Sequence, residues 1–145
     1  MLHLLTKELS QHIGDPFGRW ADITSAIDPK EVLACSDTKL HADGYQMDYQ
    51  DERDEKQIRL EHCQRIRYLM EHYPKWDPVF LDQDYQWGTV ILDDGQHRLC
   101  AAVILGIKQI HVNYNGDWTA LRQAFPTSYR RGLIRLKLYG VNDDN

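Results

Sequence analysis

The tightest constraint on this chain is a junction. Apolar Val90-Ile91-Leu92 runs into Asp93-Asp94-Gly95, and a helical pattern begins within a residue or two, over 96–105. A short apolar run rich in branched side chains reads as a buried strand, and Asp-Gly as a turn. Beyond it Leu99, Ala102, Val103 and Gly106 fall on one helical face, with Gly106 placed as a C-terminal cap. A further strand over 110–114 completes a βαβ-like unit of strand, tight turn, helix and strand.

Such a turn is suited to anions. The first N–H groups of a helix have no partners within it, and the macrodipole makes that end electropositive. Gly95 carries no side chain to keep a ligand from the backbone, Gln96 follows it, and His97 and Arg98 add a polarising group and a fixed cation. The expected phosphate-binding residues are therefore Gly95, Gln96, His97 and Arg98. Adjacent strand residues point to opposite faces, so one of Asp93 and Asp94 faces the ligand; Asp94 is the expected Mg²⁺ ligand or hydroxyl-binding group. Each piece also has an ordinary structural reading, since Asp-Gly is a common turn pair and Asp a good helix cap. The functional reading rests on their combination.

The rest of the chain supplies packing elements. Leu5, Leu9 and Ile13 are four apart and predict a short helix ending near Gly14-Asp15-Pro16. Trp20, Ile23 and Ile27 are core candidates. Asp28-Pro29-Lys30-Glu31 has the form of a capping box with proline at the first helical position. Residues 36–55 are polar and predict an exposed loop, of which 43–55 could act as a lid. Ile66, Leu69, Met70 and Tyr73 then mark the clearest helix of the first half, closed by Pro74, with Arg59, Arg65, Arg67 and Glu71 on its other face. Short strands are expected at 79–81 and 89–92, with Trp87-Gly88 suited to a hairpin. A last helix should start at Asp117, bury Trp118, Leu121 and Phe125, and stop before Pro126. The alternation of Ile134, Leu136 and Leu138 with Arg135 and Lys137 favours a terminal strand, followed by a frayed 142–145 tail.

Composition narrows the classes. At 145 residues the expectation is one domain, 1–145, with a single core. A net charge of −5 argues against tight sequence-independent binding of nucleic acid, although Arg59, Arg65, Arg67, Arg130 and Arg131 could form a local basic face. No apolar run reaches the roughly 20 residues of a membrane span, and the start lacks the basic leader of a signal peptide. Cys35, Cys63 and Cys100 are scattered and lack metal-ligand spacing, so they read as buried inert thiols in a cytoplasmic protein. Of the seven histidines only His97 sits in a motif; His3, His12, His41, His62, His72 and His111 are scattered, and His111 reads as a surface residue on its strand.

Asp94-Gly-Gln-His-Arg-Leu-Cys-Ala-Ala102, followed by Leu105-Gly106 and the strand from Ile110, resembles the signature of the ParB/sulfiredoxin superfamily. Trp76-Asp77-Pro78-Val79 also resembles that family's Pro-Ile/Val strand start, and the match covers about 58–114. The resemblance implies a single α/β (α+β) domain with a small mixed sheet and packed helices. It further implies use of the turn on nucleotide phosphates, as in CTP-switched partition proteins, ATP-dependent sulfiredoxins, free-serine kinases and relatives described as nucleases. Sulfiredoxins place their cysteine directly after the turn glycine, where this chain has Gln96, and Cys100 should face elsewhere. Partition proteins carry a helix-turn-helix reader, for which about thirty residues after Tyr114 leave little room. The Asp-Gly-x-His-Arg form is most similar to the serine-kinase branch, which implies an upstream carboxylate base among Asp51, Glu52, Asp54, Glu55 and Glu61. The expected activity is an ATP- or CTP-dependent phosphotransferase or nucleotide hydrolase with Mg²⁺, in which Asp94, His97 and Arg98 are catalytic and a small molecule accepts the phosphoryl group. A metal-dependent nuclease and a non-catalytic nucleotide- or protein-binding regulator stand as alternatives.

Overall fold

The computed structural model of the protein describes residues 2–36 and 54–135. Four strands, β1 (Leu2–Leu5), β2 (Val79–Gln83), β3 (Val90–Asp94) and β4 (Gln109–Asn115), form one mixed sheet in the order β1-β4-β2-β3. β4 runs parallel to β2, and the two outer pairs are antiparallel. Leu4, Val79, Leu81, Val90, Ile110 and Val112 alternate onto one face and are buried there. The other face carries His3 stacked on His111 across the β1–β4 pair, 5.3 Å between ring centres. The fold is α+β.

Six helices complete the described residues: α1 (Thr6–Ile13), α2 (Pro29–Leu33), α3 (Glu55–His72), α4 (Gln96–Leu105), α5 (Trp118–Ala124) and α6 (Pro126–Arg130). α4 is the hinge of the packing. Its Leu99 and Ala102 join the sheet cluster with Leu9, Leu121 and Phe125, while its Cys100 and Ala101 join Val32, Cys63, Ile66 and Leu69 of α2 and α3. Three small side chains in a row let α4 lie close to both layers. A residue as large as Leu at Ala101 or Ala102 would overpack a fully buried position.

Several sequence expectations are met and several need correction. The Asp28 capping box is formed, with Asp28 Oδ1 accepting from Lys30 N–H and Glu31 Oε2 from Asp28 N–H. α4 spans the expected residues and ends at Gly106 with φ +71°. Its buried face is Leu99, Cys100, Ala101 and Ala102, however, and Val103 is exposed, because the helix is covered on two sides rather than one. The expected βαβ-like unit is not one: β3 and β4 are separated by β2, so the parallel pair is β2 and β4, and the connection between them includes the β2–β3 hairpin. The strand β1 precedes the N-terminal helix, with Leu5 as its N-cap. Pro126 ends α5 but also opens α6, where a proline is favourable at the first position. Ile134 is buried; the rest of the expected terminal strand, the 142–145 tail and most of the 36–55 loop lie outside the described residues. No helix among the described residues is long and apolar enough to cross a membrane.

α6 is held to α1 by one carboxylate. Glu8 Oε2 accepts from Thr127 N–H, and Glu8 Oε1 from both Ser128 N–H and the Ser128 hydroxyl, which itself accepts from Leu5 N–H. Burial alone would raise the Glu8 carboxyl, but the bonds from Ser128 and Thr127 outweigh it and hold it below its ordinary value of 4.5. A lowered folded pKa gives stability that is present above the unfolded pKa and lost as pH falls through the folded one. Glu8→Gln is therefore expected to cost about 1–2 kcal/mol in urea unfolding at pH 7, with the gap from wild type narrowing below about pH 4. An unchanged gap at pH 3 would show that the carboxylate's charge is not what matters.

Candidate active site at the start of α4

The turn between β3 and α4 is fixed by three residues the sequence singles out. Gly95 is in the left-handed region at φ +110°, and a Cβ there would sit 3.0 Å from Val79 Cγ2 and 3.2 Å from Val79 Cα. The glycine is thus required by backbone conformation and by the close approach of β2. Arg98, expected to grip a phosphate, uses Nη1 to bond the carbonyls of Asp77 (2.9 Å) and Pro78 (2.5 Å), and Nη2 to bond Asp94 Oδ2 at 2.9 Å. That ties the turn to the start of β2 and leaves two of its five N–H groups on a side chain only 11% exposed. Gln96 Nε2 donates to the carbonyls of Pro16 (2.8 Å) and Arg19 (2.9 Å), which pins the 16–19 loop against the helix start.

The start of α4, like that of α1, has no side-chain cap, unlike the other four helix starts. Asp28, Asp54 and Asp117 cap α2, α3 and α5 with their carboxylates, and Glu8 does so for α6. Gly95 provides no side-chain cap to α4, and the first intrahelical bond is Leu99 N–H to Gly95 O. Among the described residues no acceptor meets the N–H of Gln96 or Arg98, at the electropositive end of the helix dipole.

His97 leads from that end into the protein. Its Nε2 is 2.8 Å from Nδ1 of His62, which is 2% exposed on α3, and His62 Nε2 is 2.9 Å from Asp22 Oδ1. The bonding order follows from what each atom can do. An ionised carboxylate only accepts, so Asp22 takes the proton-bearing Nε2 of His62. His62 Nδ1 is then the acceptor and His97 Nε2–H the donor, which puts the basic lone pair of a neutral His97 on Nδ1. Trp20 stacks on His62 (4.1 Å between ring centres) and tilts over His97 (4.9 Å), with its own Nε1–H on Phe17 O. Indole on one side and α3 on the other shield the pair from water, which strengthens the bonds along the chain.

These groups line one cleft of about 310 Å³, walled by Arg19, Trp20, Asp22, His62 and the whole 92–97 segment. Asp93 and Asp94 both face it or its rim; the Asp94 side chain is 69% exposed, with Oδ2 on Arg98. No group of three or more His, Cys, Asp or Glu side chains placed to hold a metal ion occurs among the described residues. Mg²⁺ fits such a site only in its usual mode, one or two carboxylates completed by water and substrate phosphates. Of the five carboxylates expected as upstream bases, Asp51 and Glu52 lie outside the described residues, Asp54 caps α3 and Glu55 bonds Thr24. Glu61 sits beside His62 on α3 and is not among the residues lining the cleft.

No thiol lines the cleft; Cys63 and Cys100 are buried as expected, whereas Cys35 is only partly so. Cys100 is fully buried beneath the turn, where burial raises its pKa, and burial pushes Cys63 up to about 12. Arg59 and Arg67 are paired with Glu31 and Glu71 and form no open basic face. Asp22, His62, Trp20 and Arg19 have no local signature: they lie far from His97 in sequence, and His62 meets it through the packing of α3 on α4 while residues 19–22 are brought in by the loop that Gln96 pins. The weak signal that existed was a histidine on the buried side of an otherwise apolar helical face.

Gly95→Ala places a methyl against Val79 in a conformation that costs a side chain energy. The expected loss is about 2–4 kcal/mol in denaturant unfolding. A loss under about 0.5 kcal/mol would show that β2 yields freely and that the glycine serves only ligand access. No protein-family model matches this chain, and no curated protein or solved structure matches it either, so what the cleft does rests on its own geometry.

Proposed function

We propose that the chain is a nucleotide-handling domain of ParB/sulfiredoxin type that transfers a phosphoryl group from ATP or CTP to water or to a small alcohol in this cleft. The observation that carries the reading is the Asp22–His62–His97 chain, which delivers the influence of a partly buried carboxylate through a buried histidine to a histidine in the first turn of a helix that has no side-chain cap. An aspartate behind a histidine favours the imidazolium and so strengthens the outer histidine as a proton acceptor.

Each residue then has a task. The N–H groups of Gln96 and Arg98 receive phosphoryl oxygens along the helix axis, and Arg19, whose guanidinium also donates to Ile13 O, is the arginine lining the cleft. Arg98 braces the turn through its bonds to Asp77 and Pro78. His97 Nδ1 takes the proton of the attacking hydroxyl as its oxygen bonds phosphorus and the bond to the bridging oxygen breaks. The nucleoside diphosphate leaves, and His62 and Asp22 hold the positive charge on His97. When bound, Mg²⁺ would neutralise phosphate charge from the Asp94 side of the cleft.

A thermal-shift series with ATP, CTP and pyrophosphate, each with and without Mg²⁺, followed by chromatography of the nucleotide products, tests the assignment. One triphosphate should stabilise the wild type and release diphosphate. His97→Ala should keep the stabilisation while turnover falls by about 10²–10⁴, and Asp22→Asn should give a smaller loss of the same kind. Full turnover in His97→Ala, or no stabilisation by any triphosphate, would overturn it.

A further inference from the structure

We infer that the protein associates head to tail, the tip of the β2–β3 hairpin of one copy seating in a basic-rimmed groove at the far end of the next. Two features that the cleft does not use point to this, and they complement each other.

The first is the hairpin tip. Asp84 Oδ1 accepts from Gln86 N–H (2.7 Å) and Trp87 N–H (3.3 Å), Asp84 O accepts from Gly88 N–H (2.8 Å), and Gln83 Nε2 bonds Gly88 O (2.9 Å). The tip is therefore tied down by its own bonds, yet it leaves Tyr85 fully exposed and Trp87 74% exposed. Two aromatic rings on a backbone that is already fixed lose only side-chain freedom when they bind something. The surroundings are acidic: Asp82 and Asp84 flank the tip, Asp117 is bonded to Gln83, and no Lys or Arg occurs between Val79 and Gln96. That sign of charge disfavours a nucleic acid or an anionic membrane as the occupant's surface.

The second is a groove of about 1100 Å³ along α1 and the C-terminal end of α4. Phe17, Val103 and Ile107 give it an apolar lining, and Val103 is one of the few large apolar side chains of α4 left open. Lys7, Lys108 and Arg131 line it, are exposed, and have no ion-pair partner among the described residues. Its two acids are occupied, Glu8 by Thr127 and Ser128 and Asp15 by Phe17 N–H. An apolar groove edged by unpaired cations matches an aromatic tip flanked by aspartates.

The ends of the sheet separate the two features. Lys108 immediately precedes β4, whereas the tip follows the end of β2, which runs parallel to β4. Tip and groove thus lie at opposite ends of the sheet, and the contact joins unlike surfaces, which propagates or closes into a ring rather than forming a two-fold dimer. Two aromatic side chains bury about 150–250 Å² each, well under the roughly 800 Å² per partner of a stable interface, so the association is weak.

Sedimentation velocity of the full chain from about 10 μM to about 1 mM tests this, a range suited to weak association. The wild type should sediment faster as concentration rises, less so at about 1 M salt, where exposed charges are screened. Trp87→Ala and Val103→Asp should each stay monomeric, and Lys108→Glu replaces the latter if circular dichroism shows that it does not fold. An equimolar mixture of a tip variant and a groove variant retains one competent tip and one competent groove, so it should form a heterodimer and nothing larger. A wild type that is monomeric throughout, variants that associate as the wild type does, or a mixture that stays monomeric would each overturn the inference.

Discussion

The double burial of α4 is the constraint on which the rest depends. One side of this ten-residue helix must cover the sheet and the other must receive α3, and only a run such as Leu99-Cys100-Ala101-Ala102 lets both neighbours approach. With α4 fixed in this way its N-terminus is fixed too. It lies at the end of β3, braced by Arg98 against the start of β2 and by Gln96 against the 16–19 loop. The same packing sets His62 of α3 beside His97 of α4, so the contact that stabilises the fold also assembles the site.

The chemistry follows from an asymmetry among the helix starts. Four of the six described helices meet a carboxylate at their first turn, which satisfies orphan N–H groups and the dipole together. Among the described residues α4 meets none, and the turn residues Asp94 and Gly95 do not cap it: Asp94 bonds Arg98, and Gly95 has no side chain. An electropositive helix end beside a histidine backed by a second histidine and an aspartate is an arrangement suited to holding an anion while a proton is removed nearby.

The elements governed by local rules were legible in the sequence. The Asp28-Pro29 capping box, the span of α4, its Gly106 cap and the Trp87-Gly88 hairpin depend on neighbours within a few residues, and all appear. β1 was not legible because four residues beginning Leu2-His3-Leu4 carry no period of their own and become a strand only by pairing with β4. α6 was hidden because Pro126 is both a stop for one helix and a favourable start for the next. In the site the turn itself was legible, but the structure gives its residues partly different work, with Gly95 set by Val79 and Arg98 directed into the protein. Asp22 and His62 could not be found by spacing, since 40 and 35 residues separate the bonded pairs.

The most direct measurement is a ¹⁵N NMR titration of the protein with pyrophosphate, observing the backbone amides of residues 96–98 and the imidazole nitrogens of His62 and His97. The Gln96 and Arg98 amides should shift together with a single saturable binding curve. Before ligand is added both rings should carry their proton on Nε2, as the bond from His62 to Asp22 requires. Shifts confined to surface lysines, or a His62 ring protonated on Nδ1 alone, would contradict the proposed function.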